Sequence, residues 1–415
     1  MIPVVLLVLL LGFAALSAGP ASAPTANGAA TGEQGEPGTE PGSGATGSGG
    51  AQDEAEPGSG AKPGAETGAA PGTEPGTDPG TDAGTGPGTD AEAPGTDPGT
   101  GPGGGPSPAD PNQVTITFVG DIMLTRIPGE HIAKGGDPFT DFADLLTGSD
   151  LAIGNLECVI STVGEAVPKW FNFRCDPRNV NLLGGYFDAV SVANNHSGDY
   201  GKEAFAEQLR LLREGGVPYF GGGMNLAEAH QPVIFERNGL KIAVLGYNDV
   251  ELRSYEAGPD TPGLAWIEPD QVAADVRAAR AQADIVVVYP HWGYDYMFWH
   301  SEQQAEIARV AIEAGADLVV GSHPHVTQPV ELYDGSLIAY SLGNFVFDDF
   351  VDVSAELDEP ARTSWVLTVT LGRDGISSWE TRVARTDDRG FPQLLEGVAS
   401  PCSDGTPESG YMCEP

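Results

Sequence analysis

Basic residues are scarce in this chain. Its 415 residues hold 20 Lys and Arg against 59 Asp and Glu, a formal net charge of −39. Such a surface repels phosphate backbones and anionic lipid, which excludes nucleic acid as a partner class. Cysteine is scarce too. There are four, Cys158, Cys175, Cys402 and Cys413, and no two stand in the close Cys-x-x-Cys spacing of a structural zinc knuckle. None follows the apolar N-terminal run, which argues against a lipid-modified cysteine. Residues 24–111 almost lack large apolar side chains, so nothing there offsets the entropy of ordering the chain. Histidine numbers only seven, yet His323 and His325 flank one proline directly after an apolar run.

The N-terminus reads MIPVVLLVLLLGFAALSAGPASA. Its apolar run is shorter than the roughly 20 residues of a spanning helix and is followed by small residues. We expect a secretory signal over 1–23 with cleavage after Ala23, or its retention as a membrane anchor; no Lys or Arg precedes the run. Residues 24–111 repeat PGTE, PGTD and PGTG and are expected to form a disordered Gly/Pro/Thr/acidic tether. As a Gly-rich coil its mean span is roughly 50 Å. The tether carries 14 acidic residues and one Lys, which leaves about −26 for the remainder. In an exported chain four cysteines permit three disulfide connectivities, and proximity favours Cys158–Cys175 and Cys402–Cys413.

Strand and helix signals alternate over 112–398, with 399–415 left as a tail. VTITFVGD (114–121), DLAIGNLE (150–157), DAVSVANNH (188–196) and DIVVVYPHWG (284–293) read as strands. FADLLTG (142–148), NVNLLGGY (179–186), KEAFAEQLRLLREGG (202–216) and PDQVAADVRAARAQA (269–283) read as helices. SEQQAEIARVAIEAG (301–315) opens with a Ser-x-x-Gln capping box. Asn-Gly and Asp-Gly turns mark hairpins in 232–249 and 331–349, and 365–383 reads as a third. Alternation followed by antiparallel hairpins implies an α/β fold with helices outside the sheets.

The polar motifs share one position. Gly120-Asp121, Asn155-Leu156-Glu157, Asn194-Asn195-His196, His291-Trp292 and His323-Pro324-His325 each follow an apolar strand directly. Ligands of open α/β sheets sit beyond the carboxyl ends of strands. Carboxylate, carboxamide and imidazole together suit a borderline divalent ion, Mn, Zn or Fe. His131, His230 and His300 lack this placement and are expected at the surface. Trp292, Tyr294, Tyr296, Phe298 and Trp299 cluster after His291, either as packing or as an aromatic platform.

GDIMLTR, GNLE, VANNHSGDYG, HWGYDY, GSHPHVTQPVE and YSLGNFVF, in this order over about 114–350, resemble the CapA capsule-synthesis proteins. Those proteins are linked to poly-γ-glutamate and belong to the calcineurin-like metallophosphoesterase superfamily. The resemblance implies a four-layer α/β/β/α sandwich with metals at the strand ends. It implies one metal set of Asp121, Glu157 and His325, and a second of Glu157, Asn195, His291 and His323. It implies a catalytic role for Asp121 and for His196, the latter as acid or orienting group at the scissile bond. Asn155, Asn194, Trp292, Tyr294 and Asn344 are expected to contact substrate. The superfamily's Asp-x-His is here Asp121-Ile122-Met123, which costs the first set a ligand, so one tight ion is expected rather than two. The expected role is in synthesis, release or anchoring of an anionic extracellular polymer, with a membrane polymer synthase as a candidate partner. A phosphoesterase acting on cell-wall or nucleotide phosphates, and a non-catalytic scaffold, are the alternatives.

Overall fold

The computed structural model describes residues 112–348, 354–405 and 412–413. The expected signal (1–23) and tether (24–111) lie outside the described residues. So do residues 406–411 and 414–415 of the tail, while strand Pro392–Gly405 runs through the expected boundary at 398/399. Among the described residues no helix is long and apolar enough to cross a membrane.

The β-rich run expected at 114–121 becomes strand Gln113–Ile122, the centre of the first sheet. On one side it pairs in parallel with Leu151–Leu156, which pairs with Ala189–Ser191 and then Tyr219–Phe220. On the other side lies the antiparallel series Thr363–Gly372, Gly375–Thr386 and Pro392–Gly405. The second sheet is centred on Ile285–His291, parallel to Leu240–Asn248 and Leu318–Val320. Hairpins close both of its flanks: Val233–Arg237 with Leu240–Asn248, and Val330–Tyr333 with Ser336–Ala339. Their turns are Asn238-Gly239 and Asp334-Gly335, all four residues at positive φ, as a tight hairpin requires.

Strand alternation divides the apolar residues among three layers. Val114, Ile116 and Phe118 of the first sheet meet Ile242, Val244, Val287 and Leu318 of the second, forming the seam between sheets. Ile122, Leu156, Val190 and Val192 face outward against Phe205, Leu209 and Leu212 of helix Gly201–Glu214. Ala243, Leu245, Val286 and Val288 face outward against Val272, Val276, Ile307 and Ala311. Those last residues lie on helices Pro269–Arg280 and Glu302–Ala314, the second opened by the expected Ser301/Gln304 capping box. The order is therefore helix, sheet, sheet, helix, the four-layer sandwich expected. Helix Arg126–Ala133 and strand Pro392–Gly405 add to the expected elements.

The expected pair Cys158–Cys175 is a disulfide. Cys413 is also disulfide-bonded, while the side chain of Cys402 lies outside those described. His131, His230 and His300 are not free surface residues. All three are half-buried; His230 Nδ1 lies 2.7 Å from Asp275, and His300 stacks on Tyr340 with ring centres 3.9 Å apart.

Candidate metal centre

Both sheets end at one rim, and glycine sets how closely their strands approach it. A Cβ on Gly120 would stand 1.9 Å from the Gly343 carbonyl oxygen, and one on Gly321 2.1 Å from that of Tyr340. Only glycine therefore fits immediately before Asp121 and before Ser322-His323. Asp121 at the end of the central strand accepts a hydrogen bond from Asn155 Nδ2 at 2.8 Å. Asn155 accepts in turn from Asn194 Nδ2 at 3.0 Å, and Asn194 also donates to the Leu156 carbonyl. These carboxamides, expected to touch substrate, are buried and hold the Asp121 carboxylate in place.

Glu157 stands at the centre. It is fully buried, and neither carboxylate oxygen has a hydrogen-bond partner among the described residues. Its Oε1 lies 3.8 Å from His325 Nε2 and 3.9 Å from both His196 Nε2 and His291 Nε2. A buried carboxylate without partners costs several kcal/mol unless something neutralises it. Burial, and then the nearby Asp121, push the Glu157 carboxyl well above its ordinary range. Glu157, His323 and His325 each offer a ligand atom, all within 4.8 Å of one another. The donor set and the orphaned carboxylate fit a divalent cation.

The histidines are aimed by an unusual backbone. His323 and His325 hold φ of 99° and 59°, the left-handed region that non-glycine residues avoid. His323 N–H faces Asp121 Oδ2 at 3.3 Å, and its Nδ1 has no hydrogen-bond partner among the described residues. His325 Nδ1 lies 2.9 Å from Asn344 Oδ1 and 3.5 Å from Asp121 Oδ2. Burial and then neighbouring imidazoles hold His291 and His323 well below the ordinary imidazole value. Burial acts the same way on His325, but Asp121, Asp295 and Asn344 together outweigh it and leave that ring raised. His291 Nε2 meets Asn195 Oδ1 at 2.9 Å, so the Asn195 side chain turns to the centre.

His196 is held from two sides. Its Nδ1 lies 2.7 Å from Asp199 Oδ2, and its ring stacks on Phe173 at 3.9 Å. Burial outweighs Asp199 and lowers its pKa. The neutral ring therefore donates from Nδ1 to Asp199 and presents an Nε2 lone pair. Beside it opens a cavity of about 600 Å³ walled by Lys169, Trp170, Phe171, Phe173, Glu251 and Tyr296.

Three expectations change. Trp292 is a core residue, 1% exposed, its Nε1 donating to the Tyr340 carbonyl. Tyr294 is exposed, and Tyr296 rather than Tyr294 walls the cavity. Asn344, expected to contact substrate, is buried and holds His325 Nδ1 at 2.9 Å. Met123 packs in the apolar cluster outside the first sheet, in keeping with the ligand expected to be missing there. Sequence reasoning missed Asp199, Lys169, Glu251 and Asp295, whose Oδ1 lies 3.4 Å from His323 Nε2. The spacing His196-Ser-Gly-Asp199 was a usable signal for the first; nothing local marked the others.

The family described as "Bacterial capsule synthesis protein PGA_cap" matches residues 115–349. The chain belongs to this family. Among curated capsule proteins, the "PGA biosynthesis protein CapA" of Bacillus subtilis (strain 168) is 34% identical over 241 residues, 57% of this chain and 63% of that one. The "Capsule biosynthesis protein CapA" of Bacillus anthracis is 32% identical over 252 residues, 57% and 60% of the two chains. A "Probable polyglutamine synthesis accessory protein" of Mycobacterium tuberculosis is 31% identical over 216 residues, 49% and 57%. The chain thus spans less than two thirds of the length of these relatives. Among solved structures, the calcineurin-like phosphoesterase YfkN of Bacillus subtilis aligns at TM-score 0.37 and 11% identity, covering 73% of this chain and 90% of that one.

Proposed function

We propose that this protein serves an anionic extracellular polymer of the poly-γ-glutamate type, in its synthesis, release or anchoring, through a divalent-metal hydrolase site. The observation that carries the reading is Glu157, a buried carboxylate with no hydrogen-bond partner among the described residues, facing imidazoles from both sheets, in a chain of the capsule synthesis family. The names of the relatives support the polymer, and the accessory protein among them supports a membrane polymer synthase as partner. The protein acts outside the cytoplasm, secreted or held by residues 1–23. The Cys158–Cys175 disulfide supports this, because such bonds persist in oxidising compartments.

Glu157, His323 and His325 would hold one tight ion, Mn, Zn or Fe, with Asp121, His291 and Asn195 completing the surroundings. A bound divalent ion acidifies water and polarises a carbonyl or phosphoryl oxygen. The protein's own part is orientation and proton transfer. Asp199 fixes the His196 tautomer, and Phe173 fixes the ring plane. His196 Nε2 takes the proton that the attacking water gives up as it bonds to the substrate, and returns it to the departing atom as the scissile bond breaks.

The test is metal analysis of the full chain together with a hydrolysis panel. We expect about one tightly held divalent ion per chain. We also expect cleavage of γ-linked glutamate oligomers that chelation or His196→Ala abolishes. Phosphate release from esters without γ-glutamyl cleavage would replace this reading with a phosphoesterase. A metal-loaded protein that cleaves neither would make it a scaffold.

A further inference from the structure

The loop closed by Cys158–Cys175 carries one cation into the cavity. Lys169 is the sole lysine or arginine among the described residues that wall it. Its ammonium is nearly buried, with the side chain 13% exposed, and it faces oxygens of three partners. Two are interior: the Asn195 carbonyl at 3.1 Å and Asp199 Oδ1 at 2.7 Å. The third partner differs. Glu251 reaches in from the loop after strand Leu240–Asn248, its oxygens 3.2 and 3.0 Å from Nζ. Its Oε1 also accepts from Asn195 Nδ2 at 3.2 Å. Glu251 is a third exposed and holds φ of 64°, which a glutamate residue adopts only at a cost.

We propose that Lys169 and Asn195 form a receptor for a substrate carboxylate, and that Glu251 occupies it as a built-in placeholder. The inference rests on the reading of the site given above and names how the polymer would be recognised. An ammonium with three donors keeps two interior partners and exchanges the outer one. The exchange is carboxylate for carboxylate, so no charge is left unpaired. Release also frees Glu251 from its left-handed conformation. Beside the receptor, Trp170 is 97% exposed and Phe171 40%, and with Tyr296 they offer an apolar wall to the methylene groups of a glutamate side chain or backbone. An uncharged glutamine polymer lacks the group that Lys169 selects.

The experiment titrates the full-length protein with short oligomers of γ-linked glutamate, α-linked glutamate and glutamine, following Trp fluorescence, with metal content measured in parallel. Lys169→Met should weaken binding of both glutamate oligomers by about 10-fold or more, the scale of a charge-assisted contact, while metal content holds. Glu251→Gln leaves the Asp199 contacts intact and should tighten binding by up to ~5-fold, the worth of a partly exposed ion pair. Unchanged affinity in both variants, or equal binding of glutamine, overturns the receptor. If α- and γ-linked glutamate bind alike and both depend on Lys169, the receptor stands and the γ-glutamyl reading of the site falls. If γ-linked glutamate is preferred and neither variant matters, the reading stands and the receptor falls. Binding of no glutamate oligomer overturns both.

Discussion

On the first sheet Asp121, Asn155 and Asn194 are locked to one another by side-chain hydrogen bonds, and none of the three needs a positive φ, although the strand register shifts at Asp121. On the second sheet His323 and His325 are aimed chiefly by their own backbone, forced to positive φ around Pro324. One side is preorganised by a network and the other by local strain. A network spreads its cost over several satisfied groups, whereas strain is concentrated at the residues that carry it. The carboxylate side should therefore fail when any member of its network is removed. The imidazole side should tolerate loss of neighbours but respond to changes in its own backbone.

The largest effect is expected at Glu157, where the two sides meet. Glu157→Gln should abolish tight metal binding, measured by metal analysis after dialysis. Its pKa is raised above the ordinary 4.5 by burial and then by Asp121. In the metal-free protein its contribution to stability is therefore present below pH 4.5 and lost as pH rises through the raised value. Gln escapes that loss. Metal-free Glu157→Gln should exceed metal-free wild type in stability at pH 8 by ~1–3 kcal/mol, the range for an unsatisfied buried group, and not at pH 4. Equal denaturation curves at pH 8 would show that the carboxylate has found a partner.

Next come the supporting carboxamides. Asn155 touches Asp121 on its own sheet and lies 3.2 Å from His291 Nδ1 on the other; Asn344 orients His325 alone. Each change to Ala should weaken metal affinity within the 10–100-fold range of such supports, Asn155 at the upper end. Competition with a chromophoric chelator reads this, and a larger loss for Asn344→Ala would reverse the comparison.

The smallest effect isolates the strain. His323→Ala and His323→Gly both delete a ligand, but only Gly is at ease at φ of 99°. Metal-free His323→Gly should be more stable than His323→Ala by about 1 kcal/mol in urea denaturation. No difference would mean that the turn relaxes and stores nothing.

The sandwich and its rim were legible because apolar strands end abruptly in polar motifs, so Asp121, Glu157, His291 and His323 announce their position by what precedes them. The turns at Asn238-Gly239 and Asp334-Gly335 were legible for the same local reason. What lay beyond reach depended on contacts between distant segments. Lys169 meets Glu251 across 82 residues, and no local pattern encodes that meeting. The aromatic cluster after His291 mixed two fates. Trp292 turns into the core while Tyr296, four residues on, faces the cavity, and composition cannot separate them. Met123 was read as a missing ligand because comparison with a motif sees only substitution; its packing explains what the position does instead.

Asp199 takes His196 Nδ1 and the Phe173 N–H on one oxygen and stands 2.7 Å from the Lys169 ammonium with the other. Three residues thus answer to a single side chain. Substitutions at 169, 173 and 196 should then fail to add, since whichever comes first already unsettles the anchor the others share. In descent, such a hub ties the loop and the histidine into one unit of inheritance: each can drift only in step with the others, and a change at Asp199 itself would release all three at once.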